Sequence, residues 1–261
     1  MSSQSPSTLT DELQSDYKVA VVNTFKNLKE DEQGFLAFCY HEGISGNLGN
    51  FLSSLERTGK ISWKDVGSLK KYLLAIGMKR LACILEEYET KRDLALLLNT
   101  YARKRQRLIQ IQSWLPKCIE DVADYLVKIA DGVLDKTTVE SLRKSRKNLR
   151  DLMKELETGI NDKLSNSWSK LVLLIVFVGE IIAEPETGSE GYRPKPEDLK
   201  FFAAEICTRL AGQGTMEEFC HYVEEKFNDV FPEHDSNGNT ISLQQTVSDA
   251  IDRFKQTPFF Q

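Results

Sequence analysis

The chain has 261 residues, 41% hydrophobic and 28% charged, which is enough apolar material for one or two ordinary globular cores. Its net charge of −5 is unevenly spread: residues 1–105 carry 15 basic against 13 acidic side chains, and the remainder 19 against 26. Neither part is a polyanion binder by bulk charge, so nucleic acid and anionic membrane are not expected partners. The five cysteines (Cys39, Cys83, Cys118, Cys207, Cys220) are odd in number and never closer than 13 positions, which argues against a disulfide framework and a zinc knuckle. The amino-terminal residues show no basic and apolar signal segment, and Ser2 stands where myristoylation needs Gly, so a reducing, cytoplasmic location is expected.

Apolar residues recur at three and four positions, and Gly and Pro are sparse through residue 183, so the expected fold class is all-α without convincing strands. Residues 1–15 are expected to be a disordered terminus. A first helix is expected from Asp16 to Lys29, with Val19, Val22 and Phe25, together with Val21 and Leu28, on its buried side. A second runs from Glu30 to His41. Gly43, Gly46 and Gly49 then limit the chain to a turn of helix or a loop, since each interior Gly costs about 1 kcal/mol against Ala. The helix Leu48–Arg57 should end on a left-handed Gly59. Ser62 is placed to cap a helix from Trp63 to Ala75, and Gly77 separates it from a helix over Met78–Glu89 that continues through Arg105. Pro116 closes a helical linker spanning 105–116. Longer helices follow at Lys117–Asp131, Thr138–Glu157, Ser167–Ala183, Asp198–Ala211, Thr215–Phe231 and Ser242–Lys255.

Three groups of residues in the first part form a recognisable pattern. They are Phe51-Leu52-x-x-Leu55-Glu56-Arg57-x-Gly59-x-Ile61, then Leu69-x-x-Tyr72-Leu73-Leu74-x-Ile76-Gly77, then Leu81-x-x-Ile84-Leu85-Glu86-Glu87-Tyr88-Glu89. The pattern resembles a death effector domain, a module of apoptotic and inflammatory signalling. The resemblance implies a six-helix death-fold bundle over residues 16–90, a domain of 16–104 with its helical extension, and binding to other death-effector-domain proteins, including self-association. By the same resemblance the protein-binding residues are Glu32 and Phe38 on the second helix and Lys79 and Arg80 at the start of the last. Met78 and Arg80 stand where the family carries Arg and Asp, so the charge group is rearranged. Lys91-Arg92-Asp93-Leu94 does not restore the family's Arg-x-Asp-Leu group, because it lies a helix too late.

Residues 117–261 are expected to form a second all-helical domain around the apolar run Leu171–Ala183. That helix would span roughly 25 Å, short of a hydrocarbon core, and contains Glu180, so a central buried helix is expected rather than a constitutive membrane span. Ser167-Trp168-Ser169-Lys170 with Phe177-Val178-Gly179, and Leu126-x-x-x-Ala130-Asp131-x-Val133, resemble motifs of the B-cell-lymphoma family of apoptosis regulators. That resemblance implies a partner groove involving Leu126, Asp131, Trp168 and Lys170. Lys170 replaces an arginine, and a lysine cannot make the bidentate contact a planar guanidinium gives.

The basic runs Arg103–Arg107 and Arg143–Arg150 are expected to be solvated helix faces. Asp235–Asn239 has the look of a calcium loop but carries Gln244 where a ligating Glu is required, so a turn is expected. With three scattered histidines and no nucleophile elbow, phosphate loop or zinc spacing, no enzymatic activity, metal or cofactor is expected. The function expected is that of a non-enzymatic adaptor or regulator of apoptotic or inflammatory signalling. The alternative is a bifunctional apoptosis regulator whose carboxy-terminal domain binds amphipathic helices or membranes.

Overall fold

In a computed structural model of the chain, the described residues are 8–29, 48–106, 115–134, 137, 139–140, 167–183, 195–210, 214–227, 233–234, 240–241 and 252. Among them are eight helices: α1 (Leu9–Lys29), α2 (Leu48–Arg57), α3 (Gly67–Ala75), α4 (Lys79–Arg105), α5 (Lys117–Val133), α6 (Ser167–Ile182), α7 (Pro196–Leu210) and α8 (Met216–Phe227). The helical class is therefore as expected. A departure is a two-residue antiparallel pair, β1 (Glu233–His234) with β2 (Thr240–Ile241), which two residues per strand are too few to announce by alternation. The expected helix over 30–41, most of those over 138–157 and 242–255, and the calcium-like residues 235–239 lie outside the described residues.

The chain divides into two compact units, Met1–Arg92 and Asp93–Gln261, and the division falls inside α4. In the first unit, α1 begins at Leu9 rather than near Asp16. Thr8 and Asp11 cap it reciprocally: the Thr8 N–H donates to Asp11 Oδ2 at 2.9 Å, and the Asp11 N–H donates to Thr8 Oγ1 at 3.3 Å. The Thr8 hydroxyl, which donates to Asp11 Oδ2 at 2.7 Å, and the Thr8 N–H together hold the exposed Asp11 carboxyl below its usual range. The extension brings Leu13 and Tyr17 into the helix and sets its register. Leu13, Tyr17, Val21, Phe25 and Leu28 form the buried stripe. Val19 and Val22, expected inside, lie about 200° and 140° round the helix from Tyr17 and are 58% and 48% exposed.

From Tyr17 to Leu28 that stripe closes a core with Leu55 of α2, Ile61 and Val66 of the connection, Leu69 and Leu73 of α3, and Leu81, Ala82, Leu85 and Tyr88 of α4. Full burial of each large side chain contributes about 1.5–3 kcal/mol. Gly59 and Gly77 have φ of 69° and 81°, the left-handed geometry an L-residue adopts only at a cost. Each ends its helix with paired bonds, such as Met78 N–H to the Leu73 carbonyl at 2.8 Å. The third helix starts at Gly67, four residues later than expected. Ser62 and Asp65 instead bond to each other through their backbones at 2.8 and 3.0 Å, and Asp65 Oδ1 accepts the Gly67 N–H at 2.7 Å. Arg92 braces this turn, donating to the Lys64 carbonyl at 2.7 Å, while the Tyr88 hydroxyl donates to that of Trp63 at 2.6 Å.

In the second unit α6 is the centre. Every residue from Leu171 to Ala183 is buried, as expected of a helix that is apolar on all sides. α5, α7 and α8 pack against it, and buried on them are Ile119, Val122, Leu126 and Ile129 of α5, Leu199, Phe202 and Ile206 of α7, and Phe219 and Val223 of α8. Tyr101 of α4 joins them: a Cβ at Gly179 would stand 2.5 Å from its ring, so Gly is what lets the two helices approach. No helix among the described residues is long and apolar enough to cross a membrane.

Candidate functional site

Lys79 and Arg80 are the first two residues of α4, and both are exposed. The first turn of this helix carries no acidic side chain. Cations there face the positive end of the helix dipole, which costs a few tenths of a kcal/mol each at the surface. Glu32 and Phe38, expected to share the binding role, lie outside the described residues. Arg92, in the segment 91–94 that does not restore the family's charge group, is buried with its guanidinium on the Trp63–Lys64 turn and 5.8 Å from the Tyr88 ring.

In the second unit Leu126 is fully buried in the α5 stripe, whereas Asp131 is exposed and ion-paired to Arg105. Trp168 and Lys170 are half-buried at the start of α6. The indole packs on Phe219 and Tyr222 at 5.8 and 6.1 Å between ring centroids, and Ser169 and Tyr222 share a hydrogen bond of 2.8 Å.

A polar centre that the sequence did not announce lies at the far end of α6. Glu180 is fully buried; the Tyr101 hydroxyl donates to its Oε1 at 2.6 Å, and the Arg105 guanidinium donates to the same oxygen. Burial, reinforced by the Glu180 charge, pushes the Tyr101 hydroxyl well above the usual phenol range. Burial alone would weaken the Arg105 cation, but its hydrogen bond to Glu180 and the carboxylate charge outweigh that and hold it more firmly protonated. Lys104 is bonded to Asp124 at 2.6 Å. The expectation that 103–107 is a solvated face therefore fails for Lys104 and Arg105, whose side chains are only 14% and 21% exposed because facing carboxylates draw them in. The run 143–150 lies outside the described residues.

A second association that the sequence left apart is that of Cys118 on α5 with Cys220 on α8. The influence of the Cys220 thiol, with that of the backbone amides of Ile119 and Cys118, favours the Cys118 thiolate. The Cys220 thiol is the larger cause, and together they bring the Cys118 thiol down to about 7 against the opposing effects of burial and Asp93. Cys220 moves far upward for the reciprocal reason, with burial adding. Among the described residues no group of His, Cys, Asp and Glu is arranged to hold a metal ion. In comparisons with known proteins, the chain matches no family model, no curated protein and no solved structure.

Proposed function

We propose that the chain is a non-enzymatic adaptor or regulator of apoptotic or inflammatory signalling that binds death-effector-domain proteins, further copies of itself included. The observation that carries this reading is the exposed Lys79–Arg80 pair set against the dipole of α4. A folding-only sequence gains by placing acids there. Retained cations suit an acidic face on a partner, where they act on encounter and specificity more than on raw affinity. The core supports the reading too: Leu55, Ile61, Leu69, Leu73, Leu81, Leu85 and Tyr88, all drawn from the death-effector-like pattern, meet in one cluster.

The test uses the whole chain against a panel of purified death effector domains and against itself. Association is expected, weakened at least about tenfold by Lys79→Glu with Arg80→Glu, a loss of roughly 1.4 kcal/mol, with unchanged thermal unfolding. No association up to roughly 50 µM, or equal binding by the double variant, would sink it.

A second reading has its own observation. The helix opened by Trp168 is wrapped on several sides, the arrangement that the resemblance to the B-cell-lymphoma family implies. It predicts that an amphipathic helical peptide binds the whole chain and is lost on Lys170→Glu. A peptide that binds both forms alike disposes of it.

A further inference from the structure

The corner where α3 gives way to α4 is basic without local compensation. Between Asp65 and Glu86 the chain has no acidic residue, and its cations there are Lys70, Lys71, Lys79 and Arg80. Lys70 pairs with Glu89. The other three are exposed and enter no ion pair among the described residues. Leu74 lies between them in the chain and is 49% exposed, because α3 turns Leu69 and Leu73 to the core and Lys71, Leu74 and Ala75 the other way. The corner is also fixed in shape. Gly77 stands at a φ of 81° with its N–H donating to the Leu74 carbonyl at 3.1 Å, and Ile76 and Met78 on either side pack against the core. An exposed leucine and three cations on a preformed turn make a surface complementary to an acidic protein face, since its shape is settled before any partner arrives.

The chain itself carries such a face. On α8, Glu217, His221 and Glu224 follow at steps of four and three along the exposed side, opposite the buried Phe219 and Val223. Glu218 is taken up at the helix start, accepting the Thr215 N–H at 2.6 Å, and Glu225 lies 3.0 Å from His221. Glu217 and Glu224 are exposed and enter no ion pair among the described residues. The division of charge along the whole chain runs the same way, with 15 basic against 13 acidic residues in 1–105 and 19 against 26 in the remainder. We propose that the α3–α4 corner of one copy docks on the outer face of α8 in a second copy. Lys71, Lys79 and Arg80 meet Glu217 and Glu224, and Leu74 is covered by the methylene stems of the glutamates. The two surfaces differ, so the contact is heterologous and the copies close into a ring or continue as a chain. Exposed charge pairs around one leucine make a weak contact that salt screens. The proposal rests on the adaptor reading in its use of Lys79 and Arg80, and adds the surface that they meet.

The experiment is sedimentation of the full chain from about 10 to 500 µM, in about 50 and 500 mM salt, with two neutralised variants. One is Lys71→Ala with Lys79→Ala and Arg80→Ala; the other is Glu217→Gln with Glu224→Gln. The unmutated chain should gain mass with concentration, and the higher salt should weaken its association at least about tenfold. Each variant alone should associate at least about tenfold more weakly, with thermal unfolding close to that of the unmutated chain because every substituted side chain is exposed. Mixed in equal amounts, the two should pair, since one keeps the acidic face and the other keeps the corner. A chain that stays monomeric up to roughly 500 µM would overturn the proposal. So would a mixture no more associated than either variant alone. Self-association, binding to purified death effector domains or binding to phosphatidylserine vesicles that the corner variant loses and the α8 variant keeps would give the corner a different occupant and also overturn it. The first two of these outcomes would leave the adaptor reading standing, whereas absence of binding to any death effector domain alongside successful pairing of the variants would do the reverse.

Discussion

Glu180 shows how much hangs on single side chains here. It is fully buried in an otherwise apolar helix, and its charge is met by Arg105 with the Tyr101 hydroxyl beside it. Glu180→Gln removes the carboxylate but leaves the cation, so a loss of about 3 kcal/mol in urea-monitored stability is expected, near the lower end for a broken buried pair because Arg105 keeps Asp131. Tyr101 has a folded-state pKa raised above its unfolded value of 10.0. Its contribution is therefore complete below about pH 10 and is lost as pH rises further. Stability measured between pH 9 and 11.5 should fall more steeply in the unmodified protein than in Tyr101→Phe. Gly179→Ala drives a methyl into the same ring and should cost about 1–3 kcal/mol by thermal or urea unfolding. In the sequence Glu180 was legible as an argument against a membrane span, but not its partners. Tyr101 and Arg105 lie 79 and 75 positions away, and helical spacing reports neighbours only within a turn.

Among the elements, the two glycine-terminated helices were plain in the sequence because a left-handed cap has few chemical solutions. Gly59→Ala and Gly77→Ala place a Cβ in open space, so only the backbone penalty remains, and each should lower stability by about 1–2 kcal/mol. A change much smaller than this in denaturant midpoints would show that the turns relax. The start of α1 was harder to read. The valines Val19 to Val22 suggested a stripe centred on themselves, whereas the Thr8–Asp11 cap and the run Leu13, Tyr17, Val21, Phe25 impose a stripe at four-residue steps that turns Val19 and Val22 outward. α3 was misjudged for a related reason. Ser62 caps nothing helical because its hydroxyl as well as its backbone is taken up by Asp65, and Asp65, two residues before Gly67, supplies the acceptor instead.

At the scale of the whole chain, the first compact unit passes to the second between Arg92 and Asp93 without a break in α4. Before this point Tyr88 and Arg92 bond to residues 63 and 64; beyond it Tyr101, Lys104 and Arg105 bond to Glu180, Asp124 and Asp131. Apolar periodicity reports that a helix continues, not where along it the partners change, which is why a boundary inside a helix escapes sequence reading. Lys91→Pro would remove a helical hydrogen bond at this point and should cost about 3 kcal/mol or more. The exposed ion pair of Lys91 with Glu87 that goes with it is worth little beside that.

The enclosure of α6 bears on time as well as on energy. With every residue from Leu171 to Ala183 sealed from solvent, its amide hydrogens have no local opening short of dismantling the helices around them. Their deuterium uptake should be the slowest in the protein and should proceed at the rate set by complete unfolding of that unit, giving a clock against which fraying of every other helix can be read.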